Sequence, residues 1–147
     1  MNRIQKIFQD RTEKVIPFFT AGYPSKKDTA QMVLAAEKSG AAMVELGMPF
    51  SDPLADGPII QAASQKAIEN GVNISWILEV VTEIRRESEI PLALMGYINP
   101  IINYGIGKFI HDCKLAGVDG LIIPDLPPEE ADELLQVAND AGICIIF

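Results

Sequence analysis

The sequence predicts an α/β fold of parallel strands alternating with helices, the opening part of a (β/α)8 TIM barrel. Three observations carry that reading. Short apolar runs alternate with amphipathic stretches along the chain, the pattern of βα units on a parallel sheet. One joint recurs, a helix end, a glycine and then an apolar strand: Lys38-Ser-Gly-Ala-Ala-Met-Val44, Leu115-Ala-Gly-Val-Asp-Gly-Leu-Ile122 and Asp140-Ala-Gly-Ile-Cys-Ile-Ile146. An acid, Glu45, stands at the C-terminal end of an apolar strand, and such barrels do their chemistry at that face. No Gly-x-Gly-x-x-Gly or Walker motif follows any strand, which makes a nucleotide-binding doubly wound sheet the weaker topology.

Taken in order, Met1 to Asp10 reads as a short amphipathic helix without the apolar centre of a signal peptide. Val15–Thr20 is a first strand, and Ser25 with Asp28 forms a variant capping box for a helix through Met32, Val33 and Ala36 that Gly40 closes. Met43–Glu45 is the second strand. Asp56-Gly57-Pro58 opens a helix from Ile59 to Glu69, ended by Asn70-Gly71. Asn73 or Ser75 caps the next helix. Its Ile77, Leu78, Val81 and Ile84 form one apolar stripe, with Trp76 as a packing residue and Arg85-Arg86 on a solvated face. Ile90–Met95 is the third strand. Asn99-Pro100 is a loop leading to a helix with Phe109, Ile110, Cys113 and Ala116 on one side. Gly120–Ile123 is the fourth strand. Proline opens a helix from Glu129 to Asn139 with acids in its early turns, favourable to the helix dipole. Ile143–Phe147 begins a fifth strand.

The 147 residues supply about four βα units and the start of strand 5, whereas such barrels typically need about 250 residues. The expectation is therefore a single domain, 1–147, without internal boundary, forming the N-terminal part of a longer barrel. An open apolar strand edge seldom ends a natural domain. A net charge of -8 argues against nucleic acid or an anionic membrane as partner, and no apolar run approaches the roughly 18 residues of a membrane span. Cys113 and Cys144 lack ligand spacing and His111 is the one histidine. Two buried free thiols in a cytoplasmic protein, an exposed histidine and no metal site are the expectation.

The stretch from Glu45 to Pro58 concentrates the chemistry. A carboxylate on a buried strand is costly to desolvate unless something uses or pairs it. Glu45 sits there, and Asp56 follows on a loop holding prolines, a glycine and a serine. An acid on a rigid strand and an acid on a loop suit general acid–base work. The alternative for Asp56 is a helix N-cap, and for Ser51-Asp52-Pro53 a plain turn.

Glu45-Leu-Gly-Met-Pro-Phe-Ser-Asp-Pro-Leu-Ala-Asp-Gly-Pro-Ile-Ile-Gln61 resembles the signature of the tryptophan synthase alpha subunit. The resemblance extends to Pro17-Phe18, Met95-Gly-Tyr-Ile-Asn-Pro100 and Pro124-Asp-Leu-Pro-Pro-Glu-Glu130, and runs along essentially the whole chain. It implies reversible retro-aldol cleavage of indole-3-glycerol phosphate to indole and glyceraldehyde 3-phosphate, in tryptophan biosynthesis. It also implies a general acid at Glu45, an indole N–H partner at Asp56, and an apolar pocket at Phe18 and Tyr97. No cofactor is implied in this subunit. Pyridoxal phosphate belongs to a beta subunit, joined in an alpha2beta2 complex and contacted through Pro49, Asp52, Asn99 and Pro127. The family's phosphate site lies on loops after the seventh and eighth strands, which these residues do not include. The alternative is a half barrel without turnover that acts through association with itself or a beta subunit.

Overall fold

Five parallel strands lie in sequence order, β1 (Phe18–Thr20), β2 (Val44–Gly47), β3 (Leu92–Met95), β4 (Gly120–Ile122) and β5 (Cys144–Ile146), each hydrogen-bonded to its neighbours in the chain. Helices α1 (Arg3–Ile7), α2 (Asp28–Lys38), α3 (Pro58–Glu69), α4 (Ile74–Ile84), α5 (Ile98–Tyr104), α6 (Ile106–Ala116) and α7 (Asp132–Ala141) complete the chain. This computed structural model describes residues 1–9 and 12–147; Asp10, at the end of the expected first helix, lies outside them.

Side chains alternate across a strand, so the pairing register sorts them into two layers. Val44, Leu46, Leu92, Leu94 and Leu121 face the helices and pack with Val33, Ile77, Val81, Ile84, Phe109 and Leu134 in the main core. The opposite, inner face runs in rows. Phe18 pairs with Glu45, Glu45 with Ala93, Ala93 with Gly120, and Gly120 with Cys144. One row further along lie Thr20, Gly47, Met95, Ile122 and Ile146. Met43 and Ala93 on this inner face are covered by Ile4 of α1, with Ile7, Ile16, Ile122 and Ile146 against them. The N-terminal helix thus closes one end of the inner face. It is started by a reciprocal cap, the Gln5 N–H donating to the Asn2 side chain at 3.1 Å and the Asn2 N–H to the Gln5 side chain at 3.0 Å.

Several boundaries differ from the sequence expectation. Regular β1 begins at Phe18 rather than Val15, although the Val15 and Pro17 carbonyls already accept from Ala42 and Glu45 N–H groups at 2.9 and 3.0 Å. Pro17 has no N–H to continue the ladder. β2 runs on through Gly47, so Glu45 stands inside the strand instead of ending it. Gly47 reads as a loop signal, but it is a strand glycine because the Phe18 ring lies over it: a Cβ there would sit 2.5 Å from Phe18 Cζ. Asn99 and Pro100 belong to α5 and not to a loop. Pro100 falls in the first turn, where no intrahelical N–H is needed. Pro128–Glu130 form a 3₁₀ turn, and α7 starts only at Asp132. The Ser25 capping box does not form, since Ser25 Oγ donates to the Asp28 carboxylate at 2.7 Å and Lys27 occupies the cap without a side-chain bond. Asn73 does cap α4, accepting from the Trp76 N–H at 2.9 Å. Trp76 packs against the core, and His111 is exposed.

Arg85 overturns the solvated-face expectation. Its side chain is nearly buried at the N-terminal ends of β3 and β4. There it donates to the carbonyls of Gly117 and Ile90 at 2.9 and 2.7 Å and pairs with Asp119 at 2.8 Å. The Asp119 carboxylate also accepts from Arg3 at 3.0 Å and from the Leu92 N–H at 3.0 Å. Cys113 is buried, and burial pushes its thiol pKa up, leaving it an unreactive core group. Cys144 is half-buried rather than buried.

Candidate active site

The strands set the position of the first acid. Glu45 projects from β2 on the inner face, between Phe18 of β1 and Ala93 of β3, and is half-buried. Among the described residues no hydrogen bond or ion pair engages its carboxylate, and burial raises its pKa from the ordinary 4.5. A carboxyl group raised by desolvation keeps a proton to higher pH, as a general acid near neutrality requires.

The second acid comes from the segment between β2 and α3. Asp56 is not the helix cap: Gly57 takes that place, without a side-chain bond, and Pro58 opens the helix. Freed of that role, half-buried Asp56 lines a narrow cleft at the C-terminal ends of the strands with Phe18, Ile60, Met95, Tyr97 and Pro124. Tyr97 is 5 % exposed, and its hydroxyl accepts from the Ala55 N–H at 2.9 Å. Burial, above all, raises the phenol pKa, with Asp56 adding to the shift and the Ala55 N–H opposing it. The structure therefore brings Phe18, Asp56 and Tyr97 to one cleft. Glu45 does not line that cleft itself. It lies in the adjoining row of the inner face, and its cross-strand partner Phe18 links the two acids.

A larger hollow opens beneath α1 at the other end of the sheet, lined by Arg3, Glu89 and Asp119 among others. Arg3, Glu89 and Asp119 are joined there in ion pairs, and neither candidate acid lines it. Among the described residues no three His, Cys, Asp or Glu side chains converge as metal ligands, and no helix is long and apolar enough to cross a membrane.

The family model of the tryptophan synthase alpha chain matches residues 4–147. The chain belongs to the tryptophan synthase alpha chain family. It is 50% identical over 150 residues to the tryptophan synthase alpha chain of Caldanaerobacter subterraneus subsp. tengcongensis, covering 99% of this chain and 57% of that relative. The crystal structure of tryptophan synthase subunit alpha from Legionella pneumophila superposes with a TM-score of 0.96 at 41% identity, over 99% of this chain and 57% of the other. A chain of the tryptophan synthase complex from Pyrococcus furiosus gives a TM-score of 0.87 at 41% identity, over 91% and 55% of the two chains. The chain thus spans just over half the length of the relatives it matches. Its parallel sheet is the opening part of the tryptophan synthase alpha TIM barrel.

Of the four residues that resemblance to the tryptophan synthase alpha family gives to a partner contact, Asp52, Asn99 and Pro127 are exposed and Pro49 is half-buried. Asp52 and Pro49 lie between β2 and α3, Asn99 in the first turn of α5, and Pro127 before the 3₁₀ turn. All four therefore follow the C-terminal end of a strand. Sequence reasoning missed Phe50, whose ring packs on Tyr97 with centroids 5.6 Å apart. It also missed Asp125, which accepts from the Ile98 N–H at 3.0 Å and so caps α5 from the neighbouring loop. Asp125 lies within a Pro-Asp-Leu-Pro turn, and nothing local points it at another helix.

Proposed function

We propose that this chain supplies the acid–base half of an indole-3-glycerol phosphate lyase, cleaving that substrate reversibly to indole and glyceraldehyde 3-phosphate in the cytoplasm. The observation that carries the reading is Glu45: a half-buried carboxyl of raised pKa on the inner face, without a partner among the described residues, beside a cleft that presents Asp56. Glu45 delivers a proton to indole C3. Aromaticity of the pyrrole ring is lost and the ring nitrogen becomes an iminium-like electron sink. Asp56 accepts the indole N–H and stabilises the positive charge that develops there. The bond from C3 to the glycerol chain then breaks as its adjacent hydroxyl gives its proton to the carboxylate that Glu45 has become, the bond's electron pair returns to the ring, and the aldehyde leaves. In reverse, Glu45 removes the C3 proton. Phe18 and Tyr97 give the indole an apolar seat. No cofactor takes part on this chain, because the protonated substrate itself is the sink.

The rim residues Pro49, Asp52, Asn99 and Pro127 are the proposed contact with a pyridoxal-phosphate beta subunit in an alpha2beta2 complex. A matched Pyrococcus furiosus structure is itself described as an a2b2 complex. A domain continuing past residue 147 would carry the phosphate grip. The decisive assay uses an alpha chain of full family length that carries these residues. Wild type should cleave indole-3-glycerol phosphate and Glu45→Gln should bind it without cleaving. Undiminished cleavage by the variant removes Glu45 from the reaction. A second reading is favoured by the sheet itself, in which, among the described residues, β1 and β5 have a neighbour on one side only. On that reading the 147 residues alone associate, with themselves or with a beta subunit, and do not turn over. Sedimentation of the isolated chain as a tight monomer with measurable lyase activity would reject it.

A further inference from the structure

We infer that Tyr97 is a positioning residue whose hydroxyl pins the segment between β2 and α3 and so aims Asp56 into the cleft. The inference rests on the acid role proposed for Asp56, but its first test does not. Tyr97 meets that segment at Phe50, at Ala55 and, through its hydroxyl, at the Asp56 carboxylate. Its ring packs against Phe50, tilted by 35°, and its hydroxyl accepts from the Ala55 N–H at 2.9 Å. Elsewhere the segment makes tight turns of its own, Leu54 N–H to the Asp52 carbonyl at 3.0 Å and Asp56 N–H to the Pro53 carbonyl at 3.1 Å, Leu54 is 84% exposed, and the Asp56 carbonyl also accepts from the Gln61 side chain at 2.9 Å. The bonded amide belongs to the residue just before Asp56.

Tyr97 itself is held from behind. Gly96 leaves room for Met48, since a Cβ there would sit 2.6 Å from Met48 Cε, and the Ile98 N–H is taken by Asp125 from the next loop. Three successive rim segments are therefore joined through Tyr97 and Ile98. A carboxylate carried on an otherwise solvated segment gains a fixed direction from this anchor. Misplacement of a reacting group by about 1 Å is enough to cost on the order of 10² in rate.

Amide exchange on the chain without substrate tests the anchor. In wild type the Ala55 amide should be protected. Tyr97→Phe, which keeps the ring, should speed its exchange by about tenfold, the size of one net hydrogen bond, with the core amides of Leu94 and Leu121 unchanged. Phe50→Leu, which keeps the hydroxyl, should leave Ala55 protected. An unprotected Ala55 in wild type, no change in Tyr97→Phe, an equal change in Phe50→Leu, or loss of protection throughout the core would each overturn the inference. In an alpha chain of full family length, Tyr97→Phe should lower kcat for indole-3-glycerol phosphate and leave KM nearly unmoved. Unchanged kcat, or a rise confined to KM, also overturns it.

Discussion

The two ends of the sheet treat carboxylates in opposite ways. At the N-terminal end, Asp119 is buried and fully partnered, accepting from Arg85, Arg3 and the Leu92 N–H. Arg85 spends its remaining donors on carbonyls of the β3 and β4 approaches. At the C-terminal end, Glu45 is half-buried with a raised pKa and no partner among the described residues, and Asp56 faces a cleft without capping the helix behind it. Burial by itself therefore does not mark a functional acid in this fold. A buried charge with both oxygens paired is a fastener, and a desolvated carboxyl left without a partner is available to a substrate.

Substitutions at the two ends should separate turnover from stability. The largest effect is at Glu45: Glu45→Gln in an alpha chain of full family length should reduce turnover by about 10²–10⁴ while the melting temperature hardly moves. At the opposite end, Asp119→Ala strands the nearly buried Arg85 guanidinium, while Arg3 keeps Glu89, and should lower stability by about 3–5 kcal/mol. Equilibrium denaturation would measure that loss, and turnover per folded molecule should be retained. If Asp119→Ala instead abolished cleavage in molecules that remain folded, the division between the two ends would fail.

Glycines offer a matched pair one step smaller. A Cβ at Gly47 meets Phe18 and a Cβ at Gly120 meets Ile4 Cδ1 at 2.6 Å. Both alanine variants should cost about 1–3 kcal/mol as overpacking, but only Gly47→Ala should also impair turnover, because Phe18 lines the cleft. Asp56→Asn should be nearly neutral in melting, since Gly57 and not Asp56 caps α3; a clear loss of stability would return Asp56 to a structural role.

The smallest effect is in pH dependence. Burial raises the Glu45 carboxyl above 4.5. Between that value and the raised one the folded chain binds more protons than the unfolded chain, so stability falls as pH rises through this window. Glu45→Gln removes this dependence. The variant should gain on wild type as pH rises through the window, hold a constant advantage above it, and show no further change in the difference below 4.5. A difference that stays flat across the window would mean that the folded site does not perturb Glu45.

Much of this was legible in the sequence because it is local. The recurring glycine joints predicted the helix-to-strand order, and the stripe Ile77, Leu78, Val81 and Ile84 is buried as expected. The capping of α4 by Asn73 is likewise written within four residues. What was missed is non-local. Arg85 looks like half of a surface pair because its partner, Asp119, is 34 residues away in sequence. The argument that singled out Glu45, an acid abutting an apolar strand, applies equally to Asp119 before β4. It identifies a carboxylate that needs an explanation without saying whether a partner supplies one. Asn99-Pro100 was misplaced for a different reason: a proline in the first turn of a helix carries the same signal as a proline in a loop.

The sheet order has a temporal consequence. Because every strand pairs with the one before it in the chain, β1 to β5 can assemble in the sequence in which they leave the ribosome. The amino terminus cannot follow that order. The Asn2 side chain donates to the Asp119 and Gly142 carbonyls at 2.8 and 3.2 Å, and Arg3 pairs with Asp119, so these residues, made before β1, wait for β4 and the α7–β5 joint before they can dock. In pulse-labelled refolding, α1 amides should gain protection after those of β2 and β3. Until then Met43 and Ala93, which Ile4 covers in the finished chain, stay open to water.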